Sequence, residues 1–180
     1  AGLDIGYKVR EVMTAEQKGN PATYCIADAL VEQGRLGQKS GSGYYTYDPK
    51  TRKRSTDEAV EKLAADKAAE NDIARGAISD EEIQNRCIYG LINEGANILS
   101  EGIAQRPSDI DVVYVFGYGF PAYQGGPMFY ADAVGVKNVH NTICEFAEKY
   151  GDEYWQPAPL LKELAEKDSS FAQWAMENGK

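Results

Sequence analysis

The sequence predicts a mainly α-helical protein with one short extended segment near residues 43–47. Three observations carry this. Apolar residues recur at three- and four-residue spacing through most of the chain. Serines followed by acidic residues stand where two of the patterned stretches begin. Aromatic, β-favouring residues gather in one place, "GYYTYD" at 43–48, directly behind "GQKSGSG".

In chain order, Ile5, Val9, Val12 and Met13 mark a first helix, broken at Asn20-Pro21. Ala22 to Gln33 reads as a second, with Ile26, Ala29 and Leu30 inward and Gly34 as its stop. A short strand or hairpin follows at "GYYTYD". Ser55-Thr56-Asp57-Glu58 has the form of a capping box, in which hydroxyl and carboxylate each satisfy a free backbone N–H. The helix it opens carries Val60, Leu63 and Ala64 and should end near Gly76. Ser79-Asp80-Glu81-Glu82 repeats the device. The helix behind it has the clearest pattern, with Ile83, Cys87, Leu91 and Ile98 on one stripe and Gly102 at its end. Ser108 is the expected N-cap of a helix that enters "VVYVF" and closes at Gly117, and Pro127 suits the first position of the next. Asn138 to Tyr150 and Pro157 to Lys167 form two more amphipathic helices, joined through "GDEYWQPAP".

One stretch suggests a different architecture. Gly117-x-Gly119-x-x-Ala122, behind "VYVF", has the relaxed spacing of a dinucleotide-binding loop. That loop needs a strand before it, a long helix after it, and a second strand ending in an acidic residue about 20 residues on. Pro121 and the glycine-rich "YQGGP" do not supply them. A helix-to-helix turn fits the residues better, because glycines permit left-handed backbone.

Composition narrows the function classes. The chain has 180 residues, 43% hydrophobic and 26% charged, with a formal charge of -9. A negative field of that size opposes binding to nucleic acid or to an anionic membrane. No apolar run reaches the ~18–20 residues of a membrane span. Three cysteines without CxxC pairing fit reduced thiols in the cytosol better than a disulfide frame. The basic run "KTRKRS" at 50–55 could meet a phosphate but reads first as a solvated turn. A sequence opening on Ala rather than Met is expected to be the interior of a longer chain.

Few residues are placed for chemistry. His140 and Cys144 can share a helix face, but a thiol–imidazole dyad also needs an orienting group and an oxyanion donor. One histidine and scattered cysteines cannot complete a tetrahedral metal set. Glu81 and Glu82 belong to a helix N-terminus, where the dipole accounts for them. Tyr44, Tyr45 and Tyr47 could line a pocket or serve as packing. Asn85 could turn its amide into a cleft and bond a carbonyl, or satisfy local backbone. No catalytic, cofactor-binding or metal residue is assigned.

An internal echo completes the reading from residues alone. "AGLDIGYKV" resembles "VGVKNVHNT", with Gly2 facing Gly135. "ALVEQG" resembles "LAEKDS", with Leu30 facing Leu164.

Taken together, "GLDIGYKVRE", "LVEQGRLGQKSGSGYYTYD", "EIQNRCIYGLINEGANILSEGIAQRPSDIDVVYVFGYGFPAYQGGPMFYAD" and the closing helices resemble the C-terminal part of 3-hydroxyacyl-CoA dehydrogenases. The likeness is greatest to the long multifunctional β-oxidation enzymes that also carry an enoyl-CoA hydratase/isomerase domain. The resemblance implies a tandem of helical domains. Residues 1–55 would be the latter half of a truncated first copy, and 56–180 a linker helix and the second copy. It implies NAD as cofactor of the full enzyme, bound by an upstream Rossmann domain with the catalytic His–Glu pair, and acyl-CoA as its substrate. Asn85 matches the family's substrate-positioning Asn, but in the second copy, so it is a weak substrate-binding candidate and otherwise a relic of duplication. The fragment is then not catalytic alone and contributes to domain assembly and a wall of the acyl-CoA cleft. A stand-alone helical interaction module is the alternative. The tail "AMENGK" lacks a peroxisomal tripeptide, which favours a bacterial-type cytoplasmic enzyme. Apolar surface left open on residues 1–55, around Ile5, Val9, Ile26 and Leu30, is expected to dock on the helix of Ile83, Cys87 and Leu91 or to drive self-association.

Overall fold

Gly2 starts the described chain by capping a helix whose outward face is unusually apolar. The structure is a computed structural model describing residues 2–152 and 154–179. It divides into two compact units, Ala1–Ala77 and Ile78–Lys180.

In the first unit, α1 (Leu3–Val12) packs on α3 (Cys25–Glu32), with the single turn α2 (Ala15–Lys18) between them. Thr14 and Gln17 form a capping box on α2, and Asn20 caps a short 3-10 turn at Pro21–Thr23. Leu30 is fully buried and Ile26 half-buried, whereas Ile5 and Val9 are about half exposed. Gly34 takes the left-handed conformation expected at the end of α3 (φ +75°). The extended segment is a minimal hairpin: β1 (Thr46–Tyr47) pairs antiparallel with β2 (Arg54–Ser55), Thr46 opposite Ser55. The basic run is thus partly the hairpin turn and partly its second strand.

The capping box expected at Ser55 does not form. Ser55 is held in β2, its hydroxyl 2.7 Å from that of Thr46. Asp57 instead caps α4 (Glu58–Glu70), accepting from the Ala59 N–H at 3.0 Å while bound by Arg35 at 2.6 Å. The helix also stops at Glu70 rather than near Gly76, where Asn71 and left-handed Asp72 turn the chain.

The second unit is built around α5 (Asp80–Ser100), started as expected by Ser79, whose hydroxyl accepts from the Glu82 N–H at 3.1 Å. α6 (Pro107–Gly117), α7 (Pro127–Val134), α8 (Val136–Tyr150), α9 (Pro159–Glu166) and α10 (Phe171–Glu177) follow. α5 packs on α7 and α9, α8 on α9, and α7 on α6 and α10. The core gathers Tyr89, Ile92, Ala96, Leu99, Ile110, Met128, Val139, Ile143, Leu161, Leu164 and Phe171. Burying side chains of this size is the main favourable term in folding.

Two expectations for this unit shift in register. The buried stripe of α5 runs through Tyr89, Ile92, Gly95, Ala96 and Leu99, not Ile83 and Cys87, which are exposed. Small residues decide the face: a methyl on Gly95 would stand 2.5 Å from the Met128 sulfur, so only glycine lets α7 approach so closely. α6 begins at Pro107, one residue before Ser108, so its N-cap lies two residues earlier than expected. Arg106 is its N-cap, with Pro107 at the first position and the Asp109 carboxylate 3.1 Å from the Arg106 N–H.

Candidate functional site

Gly117 to Ala122 is not a dinucleotide loop. Gly117 is the last residue of α6, Gly119 is left-handed (φ +74°), and Ala122 opens a short 3-10 turn to Gln124. The Phe120 N–H returns to the Tyr114 carbonyl at 3.0 Å, closing the helix end. The two described strands lie far away in sequence, so no strand leads into these glycines.

Asn85 lies in the second turn of α5, half-buried, and lines none of the four clefts described for the chain. Its neighbours form a fixed charge cluster. Glu82 accepts from Arg86 at 2.5 Å and from the Tyr150 hydroxyl, and Lys149 stands 3.5 Å from its other oxygen. The Arg86 guanidinium covers the Tyr150 ring at 3.8 Å to the centroid. The hydrogen bonds from Tyr150 and Arg86 hold the Glu82 carboxyl below its ordinary pKa. Glu82 therefore faces α8 rather than returning to the backbone of its cap, and the expected box at Ser79 is half made. The cluster ties the first turns of α5 to α8.

His140 and Cys144 do share a face of α8, Sγ 3.8 Å from Nε2. The other ring nitrogen, Nδ1, lies 3.5 Å from the Asn141 side-chain oxygen, too long a contact to orient a base. Among the described residues no group of three His, Cys, Asp or Glu could hold a metal. Tyr47 lines a cleft of ≈ 660 Å³ in the first unit with Ile5, Lys39, Asp48 and Arg52. Tyr44 is 43% exposed, its hydroxyl pKa raised by partial burial, and Tyr45 sits beneath Arg54.

The functional polar residues missed from sequence are those that tie helix to helix. Asp111 of α6, the one charged side chain buried among the described residues, accepts from the Met128 N–H at 2.7 Å and the Phe129 N–H at 3.2 Å. It caps α7 from outside. Burial pushes its carboxyl up to about 6, against the opposing pull of those two N–H groups. Asp132 of α7 does the same for α10, accepting from Phe171 at 2.8 Å and Ala172 at 2.9 Å, and burial raises its pKa too. Asn93 of α5 accepts from the Ala158 N–H at 2.8 Å and donates to the Gln156 carbonyl at 2.9 Å, seating the start of α9. One signal was available. "GGP" before α7 offers no side chain to cap it, so a cap had to come from elsewhere. Gly126 (φ +110°) leaves room for that cap, since a methyl there would overlap Asp111.

Comparison with known proteins agrees with this helical arrangement. The family described as "3-hydroxyacyl-CoA dehydrogenase, C-terminal domain" matches residues 1–47 and 83–171. The chain is 40% identical to the peroxisomal bifunctional enzyme of Danio rerio, over 94% of its own length and 25% of that protein. It is 37% identical to the fatty acid oxidation complex subunit alpha of Vibrio vulnificus, over 92% of its length and 22% of that protein. The chain thus spans about a quarter of the curated relatives it matches. Among solved structures, the dehydrogenase part of multifunctional enzyme 1 from C. elegans superposes with a TM-score of 0.63 at 26% identity, covering 90% of this chain and 36% of that one. The two matched stretches hold α1 and α3 of the first unit and most of the helices of the second, and on them the chain belongs to the 3-hydroxyacyl-CoA dehydrogenase C-terminal domain family.

Proposed function

We propose that the chain is the C-terminal helical part of an NAD-dependent 3-hydroxyacyl-CoA dehydrogenase of fatty-acid β-oxidation, combined in one polypeptide with enoyl-CoA hydratase. The carrying observation is the pair of family-matching stretches, 1–47 and 83–171, within relatives about four times as long. In this reading residues 1–55 are the latter half of one helical domain, and 56–180 are a linker helix and a second. The chemistry and NAD belong to an upstream Rossmann domain, while this chain supports domain assembly and one wall of the acyl-CoA cleft. Asn85 is the second-copy counterpart of the family's substrate-positioning Asn. Its absence from the linings of the four described clefts supports a structural role. The compartment proposed is the cytoplasm; relatives include both peroxisomal and bacterial proteins, so fractionation of the native enzyme decides it.

The test joins this chain to a Rossmann domain from a relative. Oxidation of 3-hydroxyacyl-CoA with NAD should require both parts. Asn85→Ala in the joined enzyme should leave kcat and KM nearly unchanged. Stoichiometric micromolar NADH binding by the chain alone, measured calorimetrically, would overturn the assignment.

A further inference from the structure

A complete tetrahedral set of metal donors is out of reach of a chain with one histidine, but half of one is already assembled on α8. His140 and Cys144 stand four residues apart, with Cys144 Sγ 3.8 Å from His140 Nε2. A tetrahedral zinc, with bonds of about 2.3 Å to sulfur and 2.0–2.1 Å to nitrogen, would hold two such donors about 3.6 Å apart. The pair is therefore spaced as a chelate before any ion arrives. The backbone beneath it is fixed. Val139 and Ile143, the residues just before each donor, are fully buried, and α8 packs on both α7 and α9. His140 and Cys144 are half-buried, so both donors stay within reach of solvent.

The donor chemistry selects the ion. Thiolate sulfur and imidazole nitrogen together favour a borderline-soft divalent metal such as zinc over magnesium or calcium. The formal charge of -9 draws cations to the chain. Among the described residues no group of three His, Cys, Asp or Glu could hold a metal, so water fills the remaining positions. Such an ion is held less tightly than at a closed structural site and can exchange.

We propose that His140 and Cys144 form a two-donor site for an exchangeable, zinc-class divalent ion. Cys144 gives its thiol proton to solvent as the sulfur takes the metal, and neutral His140 supplies the Nε2 lone pair. Nothing is oxidised or reduced. The ion links residues one turn apart and so staples α8, the helix that also buries Val136, Val139, Ile143 and Phe146. The site is independent of the function proposed above, since neither residue lines any of the four described clefts.

The test is a titration of the reduced, metal-free 180-residue chain with cobalt(II), whose thiolate charge-transfer absorption reports the sulfur, followed by displacement with zinc(II). One ion per chain is expected, released stoichiometrically by zinc. His140→Gln and Cys144→Ser should each lose the absorption. Cys144→His keeps two donors at the same spacing, so it should retain zinc binding by calorimetry while the thiolate absorption disappears. Cys25, against the Asn71 amide, and the exposed Cys87 are the internal controls, and changing either to Ser should leave the absorption intact. Zinc should also raise the melting temperature of the parent but not that of Cys144→Ser, because it binds the folded pair. A parent that takes up neither cobalt nor zinc overturns the proposal. So does an absorption that survives His140→Gln, or one abolished by Cys25→Ser or Cys87→Ser.

Discussion

The pair α1 and α3 and the pair α8 and α9 carry the same plan with different amounts of core. Gly2 caps α1 and Gly135 caps α8. Leu30 and Leu164 are both buried on the second helix of their pair, and each helix ends in the same turn. The Arg35 N–H reaches the Leu30 carbonyl at 2.8 Å, and the Ser169 N–H reaches Leu164 at 2.9 Å, across a left-handed Gly34 and Asp168 respectively. The contents differ. α8 buries Val136, Val139, Ile143 and Phe146, while the matching positions are Leu3, Gly6 and Arg10 on α1 and Met13 just after it, all half-buried. Arg10 pairs with Asp28 and lies on the Tyr24 ring where α8 sets Ile143 into the core. A helix pair and its closing turn are therefore specified locally, whereas a dry core is completed by further helices. α7 packs on α8 and α5 on α9; in the first unit, α4 packs on α3.

The sharpest way to break this comparison is to empty each pair of its leucine. Leu164→Ala and Leu30→Ala should each cost ~2–5 kcal/mol, Leu164 towards the upper end because more of its surroundings are fixed. In urea denaturation, Leu30→Ala should shift only the transition of the first unit and Leu164→Ala only that of the second. A common shift in a single transition would mean that the two pairs unfold as one.

Titration separates the units next. Asp111, its carboxyl pushed up to about 6 from an unfolded value near 4, makes the folded second unit bind more protons between those limits. That unit's stability should be greatest near pH 4 and fall by as much as ~2–3 kcal/mol as pH rises through 6. Asp132, also raised by burial, acts in the same direction. The first unit should respond with the opposite sign and at lower pH. Asp4 and Asp57, held below their ordinary values by Lys39 and Arg35, lose their contribution as pH falls below about 4. Urea midpoints at pH 3, 4, 5, 6 and 7 test both slopes, and Asp111→Asn should flatten the upper one.

The smallest effect concerns the shared turn. Asp168 holds the left-handed position that Gly34 holds in the first pair, and a side chain there costs about 1 kcal/mol. Asp168→Gly should therefore raise stability slightly, by ~0.5–1 kcal/mol less the entropy that glycine adds to the unfolded chain. A loss in the thermal midpoint would mean that the Asp168 carboxylate has a role of its own.

These outcomes bear on what a reader of the sequence could see. Helix existence was legible from period and caps, and the hairpin from its aromatic run. Leu30 and Leu164 were visible as equivalents because the turn behind each keeps its spacing. The buried face of α5 was not, because large apolar residues such as Ile83 dominate a periodicity argument. The packing is set instead by Gly95 and Ala96, which hydrophobicity undervalues and close approach requires. Ser55 was misread because a hydroxyl suits a strand pair as well as a helix start, and the hairpin claimed it. Asn85 stood out first as an amide near the start of the strongest helix, and the family likeness then gave it a candidate role. Asp111, Asp132 and Asn93 escaped because each caps a helix distant in sequence, and local patterns carry no trace of that.

Those caps also set the order in which the second unit can come apart. The first turn of α7 is tied to α6 through Asp111, and the first turn of α10 to α7 through Asp132. Neither helix can fray from its beginning without stranding a carboxylate, buried in the case of Asp111 and half-buried in that of Asp132. Amide protons of Met128, Phe129, Phe171 and Ala172 should thus exchange with solvent only when two helices separate together, and more slowly than ordinary helix-start amides. A protease that removes α10 would leave Asp132 with both oxygens unsatisfied, so the trimmed chain should become softest in the middle, at α7, rather than at its new end.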